Sequence, residues 1–264
     1  MSEKTAVTEP APSATRHGRS RWLSVGLWSA VLLAVPALFL VVQHSRRPAP
    51  APTGTSPATT PAGALRATGI PDRVPTDEAT LMGLSPVPAK DAPDFTLADQ
   101  YGHPLSLAGL KGHTVVLTFM DPHCVDICPI VSQEFLNAYR DLGTAASNAV
   151  FVAVNVNSDH ATVADVAAFS AAHRLSTIPT WHFVTGSPSA LKRVWDSYNI
   201  TVGEKIAGAD IVHTDIVYFI DPAGRERYVA DPQVDYTSDG TAYLPTDELQ
   251  SWGRGIALVA GALT

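Results

Sequence analysis

Seven residues, TVVLTFM at 114–120, run without a charge and include four β-branched side chains. A strand of that kind has no polar face, so it must be covered on both sides, and that demands a sheet packed between layers. The run AVFVAVNV at 149–156 makes the same demand. Between and after these runs the pattern turns helical. From Pro129, IVSQEFLNAYRDL reads as a helix with proline at its first position. ATVADVAAFSAAHRL and SALKRVWDSYNI read as two further helices, separated by a short strand, WHFVTG. FTL and LSL around DQYGHP predict a small hairpin. HTDIVYFIDPAGRERYVA predicts two strands joined at Asp221–Gly224, and TDELQSWGRGIALVAGAL a closing helix capped by Thr246.

Strands alternating with helices, then a terminal hairpin and helix, predict a thioredoxin-like α/β sandwich over residues 88–264. The N-terminal third obeys other rules. Hydrophobic residues make up 45% of the chain and charged residues 16%, a combination that points to a membrane segment. WLSVGLWSAVLLAVPALFLVV, residues 22–42, carries no charge. A helix of that length spans about 30 Å, the thickness of a bilayer's hydrocarbon, and Pro36 is tolerated there. A cleaved signal peptide has an apolar core of roughly 7–15 residues and a small-x-small site, whereas this run ends in GlnHisSerArgArgPro. A single transmembrane helix is therefore expected. Arg16, Arg19 and Arg21 before it outnumber Arg46 and Arg47 after it, which makes residues 1–21 a cytoplasmic tail and sets the rest outside the cytoplasm. Residues 43–87 form a Pro/Ala/Thr-rich linker, its stretch 47–75 nearly free of large apolar side chains and expected to be a semi-extended tether.

Charge divides along the same line. Residues 1–89 carry 8 Lys and Arg against 5 Asp and Glu, and residues 90–264 carry 10 against 20, so the net −7 splits into +3 and −10. A C-terminal domain that acidic excludes nucleic-acid binding as its main work.

The chain's two cysteines, Cys124 and Cys128, follow the first buried strand directly. The end of a central strand and the start of a helix is where open α/β sheets place their functional groups, and a helix N-terminus lowers the pKa of a thiol held there. As a structural staple, so short a loop contributes only about 2 kcal/mol. Three intervening residues let the sulfurs meet as a redox disulfide or converge on one soft ion, Cu(I) or Zn(II), and the spacing leaves both open.

Two thiolates leave a copper site one ligand short, typically an imidazole. Of nine histidines, His17 and His44 flank the apolar run, and His103, His113, His160 and His173 fall in turns or on element flanks where exposure is expected. His182 alternates within a short strand. His123 adjoins Cys124, but neighbours leaving a strand point in opposite directions. His213 opens the hairpin strand. In a thioredoxin-like sandwich the loop before that hairpin faces the cysteines. The rival segment, IPT at 178–180, leads into a strand followed by a helix and so sits elsewhere.

CVDICP at 124–129, the preceding LTFMDPH, and VHTDIVYFIDPAGR at 212–225 together resemble the Sco/SenC family of membrane-anchored copper proteins. The resemblance covers roughly residues 88–262. It implies copper as cofactor, Cys124, Cys128 and His213 as its ligands, and Cys124 and Cys128 as a pair able to form a disulfide. It implies a metallochaperone delivering copper to the copper A centre of cytochrome c oxidase. The alternative is an extracytoplasmic thiol–disulfide oxidoreductase acting on cysteines of a copper acceptor. Asp210 and Asp215 are candidates to orient the free imidazole nitrogen of His213, and Asp126 to add negative charge beside the metal.

Overall fold

A computed structural model describes residues 69–203 and 211–264. In chain order the elements are helix α1 (Thr76–Leu81), strand β1 (Ser85–Asp91), hairpin β2 (Thr96–Ala98) and β3 (Pro104–Ser106), β4 (Thr114–Met120), α2 (Ile127–Leu142), β5 (Ala149–Asn155), α3 (Val163–Ala172), β6 (Trp181–Val184), α4 (Pro188–Ser197), β7 (Val217–Ile220), β8 (Arg225–Ala230), β9 (Asp235–Tyr236), β10 (Ala242–Tyr243) and α5 (Thr246–Leu263).

Six strands form one sheet in the order β1-β8-β7-β4-β5-β6. β4 pairs parallel with β5 and β5 with β6, while β7 runs antiparallel to both β4 and β8. The uncharged strands β4 and β5 stand next to each other and are buried at every position. Alternation then sorts their side chains between two cores. Val116, Met120, Phe151 and Ala153 pack with Phe135 of α2, Phe169 of α3 and Trp252 and Ile256 of α5. Val115, Leu117, Phe119, Val150, Val152 and Val154 pack on the other face with Leu191, Val194 and Trp195 of α4. The expected sandwich is thus present, with helices covering both faces.

Three local expectations change. The packed chain begins well before residue 88. Val74 and Met82 are wholly buried, Glu78 pairs with Arg254, and β1 zips its backbone onto β8. The linker expected over 43–87 therefore gives way to folded chain by Gly69. α2 begins at Ile127, capped by the Asp126 carboxylate, so Cys128 lies in its first turn and Pro129 is its third residue rather than its first. Thr246 is the first residue of α5, and Pro245 stands at the cap position. No helix among the described residues is long and apolar enough to cross a membrane. The expected span at 22–42, the tail 1–21 and Asp210 lie outside the described residues.

Candidate metal centre

The turn leaving β4 is built on one carboxylate. Asp121 accepts hydrogen bonds from the His123 backbone N–H (2.8 Å) and from the Asn157 side-chain amide (2.9 Å), and its carbonyl accepts from Cys124 N–H (3.1 Å). A buried aspartate with that many donors holds the turn, and through it Cys124, at the mouth of the β4–β5 pair.

Both cysteines are free thiols and buried. Cys124 Sγ lies over the N-terminus of α2, where it accepts from Cys128 N–H at 3.3 Å and donates to Asp126 Oδ1 at 3.1 Å. The helix N-terminus thus serves Cys124 and the Asp126 carboxylate. Cys128, inside the first turn, is pushed well above its ordinary pKa of 9.0, first by its hydrogen bond with Cys124 and then by burial. The sequence expectation of an acidified thiol fails at Cys128 for that reason: its sulfur points into the core, where a thiolate is poorly solvated.

His213 comes from the segment that leads into β7, the strand paired beside β4. It lies ahead of β7 rather than opening it, held by an isolated antiparallel bridge to Val202. Gly203 N–H donates to the Val212 carbonyl at 2.8 Å, and Thr214 N–H to the Thr201 carbonyl at 3.0 Å. A Cβ at Gly203 would stand 3.1 Å from the Val212 oxygen, so glycine permits this close pairing. The His213 side chain is only 3% exposed. Its Nδ1 lies 3.1 Å from the Thr214 carbonyl. A carbonyl oxygen only accepts, so Nδ1 carries the proton and Nε2 is left as the donor to a metal. Asp215 Oδ1 stands 3.5 Å from the same Nδ1, the place from which a carboxylate orients an imidazole. Burial raises the Asp215 carboxyl above its ordinary pKa against the pull of His213.

Cys124 and His213 line one cavity of about 220 Å³, together with Asp126, Ile127, Ile211, Val212, Asp215, Val234 and Tyr236. Tyr236, which sequence reasoning did not single out, donates to Asp126 Oδ2 at 3.3 Å. Only its position on the short β9 after the main hairpin brings it here, and no local sequence signal marks that. Cys128 lies behind Cys124 rather than on the cavity wall. The ligand atoms of Cys124, Cys128 and His213 are not all within 4.8 Å of one another. Among the described residues, His123, His160 and Asp165 form the set of three that is. The donor types nonetheless suit a soft ion: two sulfurs on one turn, and on the same cavity an imidazole whose Nε2 has no hydrogen-bond partner among the described residues.

Residues 86–238 match the SCO1/SenC family model. The bovine protein described as SCO2 homolog, mitochondrial, is 29% identical over 139 residues, which is 50% of this chain and 50% of that one. The SCO1 protein homolog of Bacillus subtilis is 25% identical over 133 residues, 50% of this chain and 68% of the relative. The chain thus spans about half the length of its mammalian relatives. Among solved structures, copper-bound ScoI of Bradyrhizobium japonicum superposes with a TM-score of 0.51 at 21% identity, covering 66% of this chain and 100% of that one. A likeness at that identity establishes the fold.

Proposed function

The chain belongs to the SCO1/SenC family, and from that premise we propose that it binds copper through Cys124, Cys128 and His213 and hands it to the copper A centre of cytochrome c oxidase. One observation carries the ligand assignment: Cys124 and His213 line the same cavity, with the second thiol hydrogen-bonded to the first. When bound, the copper is cargo, and the residues around it govern its capture and release. Asp126 and Tyr236 hold the Cys124 turn, while Thr214 and Asp215 keep the His213 proton on Nδ1, leaving Nε2 as the nitrogen that would bind the copper. Transfer to an acceptor asks for exposure at the mouth. Val212, on the cavity wall, and Val125, between the cysteines, are 78% and 80% exposed, the highest values among the described large apolar residues. Apolar side chains left in water beside a site suit contact with another protein. We further propose that residues 22–42 anchor the chain in the cytoplasmic membrane and that the folded domain lies outside the cytoplasm.

The second reading, a thiol–disulfide oxidoreductase, is favoured by the paired thiols in hydrogen-bond contact. Anaerobic reconstitution of the reduced chain with Cu(I) separates the two. One tightly held copper per chain supports the copper reading; no retained copper together with turnover of a model disulfide supports the second and overturns the first.

A further inference from the structure

We propose that His123, His160 and Asp165 form a second metal site, separate from the cysteines, for divalent copper. Parallel pairing of β4 with β5 sets Met120 opposite Asn155, so the loops after the two strands lie side by side. His123 stands in the first loop and His160 in the second. Their rings stack with centroids 3.7 Å apart and 31° between planes. His123 Nε2 lies 3.5 Å and His160 Nδ1 3.9 Å from one and the same atom, Asp165 Oδ1. Two donors bound to one metal at about 2.0–2.1 Å, and 90–110° apart about it, are roughly 2.9–3.4 Å from each other. The His123–Asp165 pair therefore stands about 0.1–0.6 Å and the His160–Asp165 pair about 0.5–1.0 Å wider than in an occupied site, and all three ligand atoms lie within 4.8 Å of one another.

Their supports are fixed by groups other than themselves. Asp165 Oδ2 is taken by the Thr162 hydroxyl and backbone N–H, in the capping box of α3, so the carboxylate is oriented with Oδ1 toward the two histidines. Asp121, Asn155 and Asn157, all buried, tie the two loops together. Asp121 binds His123 N–H and Asn157, and Asn155 donates to the His160 carbonyl at 2.9 Å. Ordered carboxylates and backbone around metal-binding imidazoles are what hold ligands in place before a metal arrives. The side chains are 52%, 35% and 23% exposed for His123, His160 and Asp165, so an ion reaches them directly from solvent. With imidazole and carboxylate donors and no thiolate, the set favours a divalent ion over Cu(I), and Cu²⁺ over the other divalent first-row ions.

The test is a titration of the full chain carrying Cys124→Ser and Cys128→Ser with Cu²⁺, read by calorimetry and electron paramagnetic resonance. One equivalent is expected, with nitrogen splitting from two imidazoles. His123→Ala and His160→Ala in that background are each expected to weaken it at least about tenfold. Absence of bound copper, or a signal that survives removal of either histidine, overturns the site. Should the serine substitutions prevent folding, oxidising Cys124 and Cys128 to a disulfide in the unsubstituted chain removes the thiolates equally, and the same variants are compared there. Because the thiolates are absent from the measurement, its failure leaves the cysteine-centred reading standing, and the reverse.

Discussion

Glu134, in the middle of α2, is 0% exposed, and neither carboxyl oxygen has a hydrogen-bond partner among the described residues. Burial pushes its pKa from the ordinary 4.5 to about 8. The folded chain therefore keeps a proton on Glu134 at pH values where the unfolded chain has lost it. Between pH 4.5 and about 8 the native state binds more protons than the unfolded state, so stability falls as pH rises and the loss is complete above about 8. Each pH unit is about 1.4 kcal/mol, which puts the whole window at about 5 kcal/mol. Glu134→Gln keeps the shape and cannot ionise. Urea unfolding of the parent and variant at a series of pH values, followed by near-ultraviolet circular dichroism, isolates this group because all others cancel in the difference. The variant is expected to gain on the parent steadily from pH 5 to pH 8 and to hold that lead at pH 9. Parallel stability curves would refute the argument, since they would mean that Glu134 ionises alike in both states.

Gly253 of α5 faces α2 so closely that an added Cβ would stand 2.3 Å from Asn137 Cβ and 3.1 Å from the Glu134 carbonyl. Gly253→Ala should cost about 2 kcal/mol, the overpacking penalty exceeding the roughly 1 kcal/mol gain in helix propensity, with chemical denaturation as the check. Cys124→Ser and Cys128→Ser are each expected to leave a cooperatively folded chain that retains no Cu(I), measured by thermal unfolding and metal content; collapse of the fold in both variants would make the cysteines structural. A reporter active only outside the cytoplasm should work when fused after residue 264 and fail when fused before residue 22, and the reverse pattern would overturn the proposed orientation.

The central layer was legible because burial on both faces leaves no alternative pattern: β4 was expected at its observed bounds, and β5 and the hairpin strands lie within their expected stretches. The folded segment before residue 88 was hidden for the opposite reason. β1, SPVPAKD, is an edge strand whose side chains are nearly all exposed and which contains two prolines. It holds its place by backbone pairing on one side, so it has neither alternation nor an apolar run to read. The start of α2 departs from the expected position because a side chain outside the expected element, Asp126, does the capping. At the candidate site, the strand–cysteine–helix order and the hairpin pointed to Cys124 and His213. Tyr236 and the histidine pair were beyond reach. The sequence places His160 on an element flank where exposure is expected and points His123 away from Cys124; their convergence on Asp165 follows from the register of two parallel strands, which local sequence does not encode.

The ligand set is tested most directly by X-ray absorption at the copper edge of the reduced chain loaded with one equivalent of Cu(I), compared with its His213→Ala variant. The account predicts a first shell of two sulfurs and one imidazole nitrogen, with the nitrogen contribution lost in the variant. A shell without sulfur, or one that His213→Ala leaves unchanged, would contradict it.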